Sequence, residues 1–341
     1  MKKLLFLLLF VVSQYSCRER SLTYSTITGF AQGSTYTMVF ENRNHLSPSL
    51  INEQVGQILH EFDMSMSGYV DSSIVCRINR NEDVRCDSFY TGNFNKSREI
   101  WQMSGGAFDI TVAPLVRAWG FGPDSHKFMT PQKRDSLLQL VGMEKVDLRD
   151  GKILKTDPRI TLDFNAIAQG YSVDVICKFF DSKGFTSYLV EIGGEVRVKG
   201  KKDGRPWQIG IDKPVDDNMV PGENLEAIIK LTDKALATSG NYRKFYVENG
   251  VKYSHTIDPR TGNPARNSLL SATIIAADCA TADGVATACM VIGKDKAVDF
   301  LSQHPEFSGY FIFSDESGNF RTWISTGLGS SVDESVGEKD R

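Results

Sequence analysis

The stretch KVDLRDGKILKT, residues 145–156, decides the fold class. Two short runs carrying Val146, Leu148, Ile153 and Leu154 flank Asp150-Gly151, a favoured two-residue hairpin turn. Strands joined by so short a connection run antiparallel. The pattern returns in RKFYVENGVKYSHTI (243–257), which turns at Asn249-Gly250, and in SGYFIFSD (308–315) with NFRTWIS (319–325), a closing hairpin. STYTMVF (34–40) reads as a further strand. Helical signals lie between these runs. SPSLINEQVGQILHEFDMSM (47–66) has Ser47 as cap and Pro48 in its first turn, and TPQKRDSLLQLVG (130–142) repeats the device with Thr130 and Pro131. FNKSREIWQMSGG (94–106) ends on glycines, and DCATADGVATACMVIG (278–293) ends at Gly293. Hairpins mixed with helices predict an α+β fold, a largely antiparallel sheet packed with helices rather than a doubly wound one.

The chain has 341 residues, 41% hydrophobic and 24% charged, an ordinary globular composition with enough length for a sizeable core. Net charge is −3. No basic surplus is available for phosphate-backbone contacts, so nucleic acid is excluded as an expected partner.

The beginning differs in kind. MKKLLFLLLFVVSQYSC (1–17) has Lys2 and Lys3, then nine unbroken apolar residues from Leu4 to Val12. A membrane-crossing helix needs about 20, so the run fits the core of a secretory signal over residues 1–16. Ser16-Cys17 predicts cleavage before Cys17 and lipid attachment there, as in bacterial lipoproteins; the plainer alternative is a signal cut near Ser16 with no anchor. The expected location is the periplasmic side of a bacterial membrane, anchored at Cys17. Residues 17–28 read as a tether and 29–330 as one domain. The charged tail SVDESVGEKDR (331–341) is expected to be disordered. Beyond Cys17, five cysteines remain and none forms a C-x-x-C pair, so a zinc or thioredoxin-like site is not indicated. Cys76 and Cys86 can pair in an oxidising compartment, but their spacing leaves this open.

Three stretches carry candidate chemistry. TLDFNAIAQGYSVDVI (161–176) sets Asp163 at the end of a β-like run, followed by small residues and a helix-like pattern. A helix start offers free N–H groups and a positive dipole end to phosphate, and carbonyls there with Asp163 can serve a hard cation; a plain capping role for Asp163 fits equally well. In ATADGVATACMV (280–291), Asp283 and Thr287 are four apart and share one helix face. That oxygen pair suits Mg²⁺, while a buried Asp–Thr hydrogen bond is the simpler reading. Gly284 costs this helix about 1 kcal/mol against alanine, which implies close packing there. In TSGNYRKFYVENGVKYSHTIDPRTGNP (238–264), His255 precedes the turn-forming Asp258-Pro259 and Thr261-Gly262. A histidine beside an acid-bearing turn is placed to exchange a proton. His45, His60, His126 and His304 have unremarkable surroundings.

Taken together these stretches resemble the ApbE family, the FAD:protein FMN transferases. The resemblance runs from about Gly29 to Ser325. It is carried by GSTYTMVF, DMSMSGYVDSSIVCRIN, GGAFDITVAPLVRAWGFGP, LDFNAIAQGYSVD, YLVEIGGEVRVKG, ATSGNYRKF, SHTIDPRTGNP and ATADGVATACMVIG. It implies a T-fold-related α+β fold and Mg²⁺ held by the Ala166 carbonyl, Asp283 and Thr287. FAD, as substrate, is expected at Tyr69, at Ala107, Phe108 and Asp109, at Asp163, at Gln169 and around Ile257. His255 or Asp258 is expected to help remove the hydroxyl proton. The implied reaction moves FMN from FAD to a Thr or Ser hydroxyl of an acceptor protein, an extracytoplasmic segment of a redox protein, and releases AMP. Gln32, Gly68, Asn165 and Gln169 depart from the commonest family residues, and none of these departures removes an implied metal ligand. Two rival readings use the same site: a hydrolase splitting FAD into FMN and AMP, and a lipoprotein that binds FAD without chemistry.

Overall fold

The computed structural model describes residues 23–121, 129–215, 222–241, 245–248, 251–254 and 256–338. The chain opens with hairpin β1 (Tyr24–Ala31) and β2 (Ser34–Glu41). Helices α1 (Pro48–Met66), α2 (Ile74–Asn79), α3 (Ser88–Met103), α4 (Ala113–Ala118) and α5 (Pro131–Leu138) follow. Ser47 and Thr130 do cap α1 and α5, accepting from the N–H groups of Leu50 at 3.5 Å and Lys133 at 3.2 Å. The α3 helix starts six residues before the expected Phe94, because Asp87 accepts the Tyr90 N–H and supplies the cap.

Hairpin β3 (Val146–Arg149) and β4 (Lys152–Lys155) is antiparallel as expected, yet it stands apart as a two-stranded ribbon. Helix α6 (Ala168–Ser182) leads to β5 (Tyr188–Ile192), β6 (Glu195–Lys199), β7 (Trp207–Asp212), β8 (Leu225–Leu231) and β9 (Ala235–Gly240). Next come the separate hairpin β10 (Phe245–Glu248) and β11 (Val251–Ser254), then β12 (Leu269–Ala276), α7 (Cys279–Ile292) and α8 (Lys294–Gln303). The chain closes with β13 (Ser308–Ser314), β14 (Phe320–Ile324), β15 (Val332–Asp333) and α9 (Ser335–Glu338).

The main sheet has eight strands in the order β1-β2-β5-β6-β9-β12-β13-β14, every neighbouring pair antiparallel. Side chains alternate between its faces. On β12, Ala272, Ile274 and Ala276 face the core shared with α3 and α7, while Ile275 joins a second core with β7 and β8. On β13, Phe311 takes the first side and Tyr310 and Ile312 the second. Helices α1 and α6 cover β1, β2 and β5 through Val55, Leu59, Val173, Ile176 and Phe180. The result is three layers: helices, main sheet, and a small sheet ordered β15-β8-β7.

The small sheet corrects one expectation. Residues 331–338 do not stay apart as a disordered tail: Val332 and Asp333 pair with Ile229 and Ile228 on β8, while 339–341 lie outside the described residues. Charge count missed this because the pairing is made by backbone groups and one half-buried valine. Cys76 and Cys86 are free thiols, with burial pushing the Cys86 thiol up to about 11.

Candidate functional site

The first and second stretches meet where α6 crosses α7. The contact is made at Gly170, where a Cβ would stand 2.5 Å from the Cys279 carbonyl and 2.8 Å from the Asp283 Cβ. Only a glycine lets the backbones approach so closely. The Gly170 N–H donates to Asp283 Oδ2 at 3.1 Å. In a regular helix that N–H would return to the Ala166 carbonyl four residues earlier. Here Ala166 lies in the turn before α6, and among the described residues no hydrogen bond reaches its carbonyl oxygen.

Asp283 is 6% exposed. Burial pushes its carboxyl up to about 7, and the Gly170 N–H offsets part of that. No cationic side chain pairs with it among the described residues. A buried carboxylate with a single donor and a carbonyl relieved of its helical donor form an oxygen set that fits a hard divalent cation. Thr287, one turn along α7, hydrogen-bonds Ser239 at 3.2 Å rather than Asp283. Gly284 is not a ligand approach point. A Cβ there would meet Ile100 of α3 at 2.6 Å and Phe108 at 3.5 Å, so the glycine serves helix packing.

Around the start of α6, Asp163 is held by its backbone N–H to Ile110 O at 2.7 Å, and its carboxylate accepts the Asn165 N–H at 2.8 Å. It therefore shapes the turn, five residues ahead of the first helical residue, instead of capping α6 itself. Gln169 lies over the β5–β6 turn, its amide nitrogen 2.3 Å from where a Gly193 Cβ would stand. Ser172 links the region to the β1–β2 turn, donating within 2.7 Å of Gln169 O and 3.2 Å of Gln32 Oε1. Tyr69, in the loop after α1, is 77% exposed, a large ring presented to solvent.

The remaining expected contacts are of another kind. Ala107 and Phe108 have side chains in the core. The Asp109 carboxylate is consumed internally: Oδ1 accepts from the Thr111 N–H at 2.7 Å and from its hydroxyl at 2.5 Å, and Oδ2 accepts from the Met143 N–H at 3.1 Å. Burial raises its pKa against those bonds. This segment therefore has backbone groups, not side chains, to offer a nucleotide. Ile257 is buried with Leu115 and Val141. The Asp258 carboxylate is forked onto Arg260, at 2.9 Å to Nε and 3.0 Å to Nη2, and accepts the Arg260 N–H at 2.9 Å. Its backbone carbonyl accepts from Gly262 at 2.8 Å, and Trp119 Nε1 donates to Gly262 O at 2.8 Å. Asp258 thus builds the turn after His255. His255 and Cys17 lie outside the described residues.

A glycine at the start of an otherwise apolar helical pattern is the sequence signal that marks the close approach at Gly170. The family model described as "ApbE family" matches residues 32–311. A relative from Vibrio cholerae, named FAD:protein FMN transferase, is 34% identical over 279 residues, covering 80% of this chain and 82% of its own. A Haemophilus influenzae relative of the same name is 33% identical over 321 residues, covering 90% and 91%. Among solved structures, the flavin transferase ApbE from Vibrio cholerae aligns with a TM-score of 0.80 at 30% identity over 91% of this chain and 99% of that one. The apo flavinyl transferase ApbE of Pseudomonas stutzeri gives 0.81 at 29%, over 91% and 97%. The matched span takes in the α6 and α7 segments that meet at Gly170 and the turn around Asp258, and the chain belongs to the ApbE family.

Proposed function

We propose that the protein transfers FMN from FAD to a threonine or serine hydroxyl of an acceptor protein, forming a phosphoester and releasing AMP. The names of its relatives support the transfer itself. The observation that supports the reading is the junction at Gly170, whose N–H donates to the buried Asp283 carboxylate in place of the helical bond it would return to Ala166. These two groups and Thr287 would hold Mg²⁺, and when bound it supplies positive charge to the diphosphate oxygens of FAD.

The chain's own groups do the positioning. The exposed Tyr69 ring offers a face for stacking, and the backbone around Ala107, Phe108 and Asp109 offers hydrogen bonds to a nucleotide. The acceptor hydroxyl forms the new bond to the phosphorus on the FMN side, the bond to the AMP phosphate breaks, and AMP leaves. His255 takes the hydroxyl proton. Asp258, engaged by Arg260, holds the turn instead of taking that proton. Such transfer depends mostly on alignment and charge neutralisation. The signal-like start and Cys17 support work outside the cytoplasm, tethered by lipid, on an extracytoplasmic redox-protein segment.

The test is to incubate the soluble domain with FAD, Mg²⁺ and a candidate acceptor domain, then weigh the acceptor by mass spectrometry. One FMN adduct per target residue is the expected result. Free FMN and AMP with no adduct would make the protein an FAD pyrophosphatase, and unchanged FAD would make it a flavin carrier.

A further inference from the structure

We infer that Asp174 is a positioning residue for the metal-holding groups: from α6 it grips the start of α7 and so sets the place of Asp283 against the first turn of α6. The inference rests on the Mg²⁺ reading proposed above. Asp174 lies four residues after Gly170, and Cys279 lies four before Asp283, so each pair shares one helix face. The two helices are tied at both levels. Gly170 N–H meets Asp283 at one, and at the other Asp174 accepts the Cys279 N–H on Oδ1 at 3.0 Å and the Ala280 N–H on Oδ2 at 2.9 Å.

A helix begins with four N–H groups that lack helical partners. In α7 the Thr281 N–H is served by its own cap, donating to the Asp278 side chain at 2.9 Å, and Ala282 N–H makes the first regular helical bond, to the Asp278 carbonyl at 3.2 Å. The Cys279 and Ala280 N–H groups are served from a different helix. That arrangement fixes both the slide and the rotation of α7 against α6, which a cap from within α7 cannot do. Arg197 on β6 clamps the same carboxylate, with Nη1 2.5 Å from Oδ1, and ties the pair to the main sheet. Asp174 is 6% exposed. A buried ion pair adds little net stability compared with apolar packing, and its best-attested use is to specify register.

The experiment titrates Mn²⁺ into the FAD-loaded protein without acceptor, and follows FMN transfer against Mg²⁺ concentration with acceptor present. Asp174→Asn is compared with Asp278→Asn, which weakens the cap of the same helix without touching α6. Asp174→Asn is expected to weaken Mn²⁺ binding by about 10- to 100-fold, the usual loss when a group orienting a metal ligand is removed, with transfer recovering at high Mg²⁺. Asp278→Asn is expected to lower the melting temperature while keeping wild-type Mn²⁺ affinity. Should Asp174→Asn fail to fold, Asp174→Ser, which keeps one acceptor and buries no charge, takes its place with the same expectation. Wild-type Mn²⁺ affinity in the Asp174 variant, or equal weakening in both variants, overturns the inference alone. Failure of Asp283→Ala to reduce Mn²⁺ binding overturns the metal reading and the inference together.

Discussion

Asp283 brings a carboxylate into the interior with one N–H donor from Gly170. Its folded-state pKa of about 7 lies above the ordinary 3.8. Between those values the unfolded chain has released a proton that the metal-free fold retains, so stability falls as pH rises. The contribution is fully present below about pH 4 and gone once pH passes about 7. Thermal melts of metal-free wild type and Asp283→Asn should lie close together near pH 4, where Asp283 is neutral, and separate toward neutral pH as the wild type falls below the variant, and a constant difference would place the ionisation elsewhere. Asp283→Ala should abolish transfer. A second residue-scale contrast separates proton transfer from turn building. His255→Ala should lower kcat by about 10²- to 10⁴-fold, the usual yield of a general base, with FAD binding unchanged by fluorescence titration. Asp258→Asn, which loosens the fork to Arg260, should fall well short of that loss. Equal kcat losses would return Asp258 to the role expected from its sequence position.

The contact of α6 with α7 is set at a small residue: Gly170 on one helix lies against Cys279 and Asp283 on the other, all buried. A methyl group at 170 would sit 2.5 Å from a backbone carbonyl, and a backbone atom cannot turn aside as a flexible side chain can. Gly170→Ala should therefore separate the helices and destabilise the fold by about 1–3 kcal/mol, the usual range for overpacking, although alanine favours a helix more than glycine does. Its effect on activity should exceed its effect on stability, because Asp283 parts from the Gly170 N–H as the helices separate. Denaturant melts beside Mg²⁺-dependent transfer rates check this, and a variant that melts lower yet transfers normally would detach the site from the helix contact. Part of this element was legible in sequence: the Asp283 and Thr287 spacing put both on one face of α7. Its partner was not, since Gly170 and Asp283 are 113 residues apart and nothing local in either helix names the other.

At the scale of the whole molecule, local turn chemistry was the readable part. Asp150-Gly151 and Asn249-Gly250 marked hairpins that the structure contains, and Ser47-Pro48 and Thr130-Pro131 marked helix starts. Strand order was not readable, because the central pairings join distant strands, Phe40 with Tyr188 on β2–β5 and Val196 with Leu236 on β6–β9, and depend on which faces can be buried together. The tail shows the same limit. Its composition reads as solvated, but Val332 and Asp333 complete the small sheet beside β8, Tyr310 donates to Glu334 at 2.9 Å, and Gly337 packs against the Glu226 backbone. These contacts lie on the face of the main sheet opposite α6 and α7. Removing residues 332–341 should leave β8 with an open edge and cost about 1–2 kcal/mol, from lost apolar burial and a few hydrogen bonds. For a domain of this size that is a fall of a few degrees in melting temperature. Transfer per folded molecule should be unchanged, because the α6–α7 junction lies on the other face of the main sheet. A truncated protein that melts normally would deny the tail its place in the small sheet. One that melts lower and also loses Mg²⁺ affinity would show that the two faces of the main sheet are mechanically coupled.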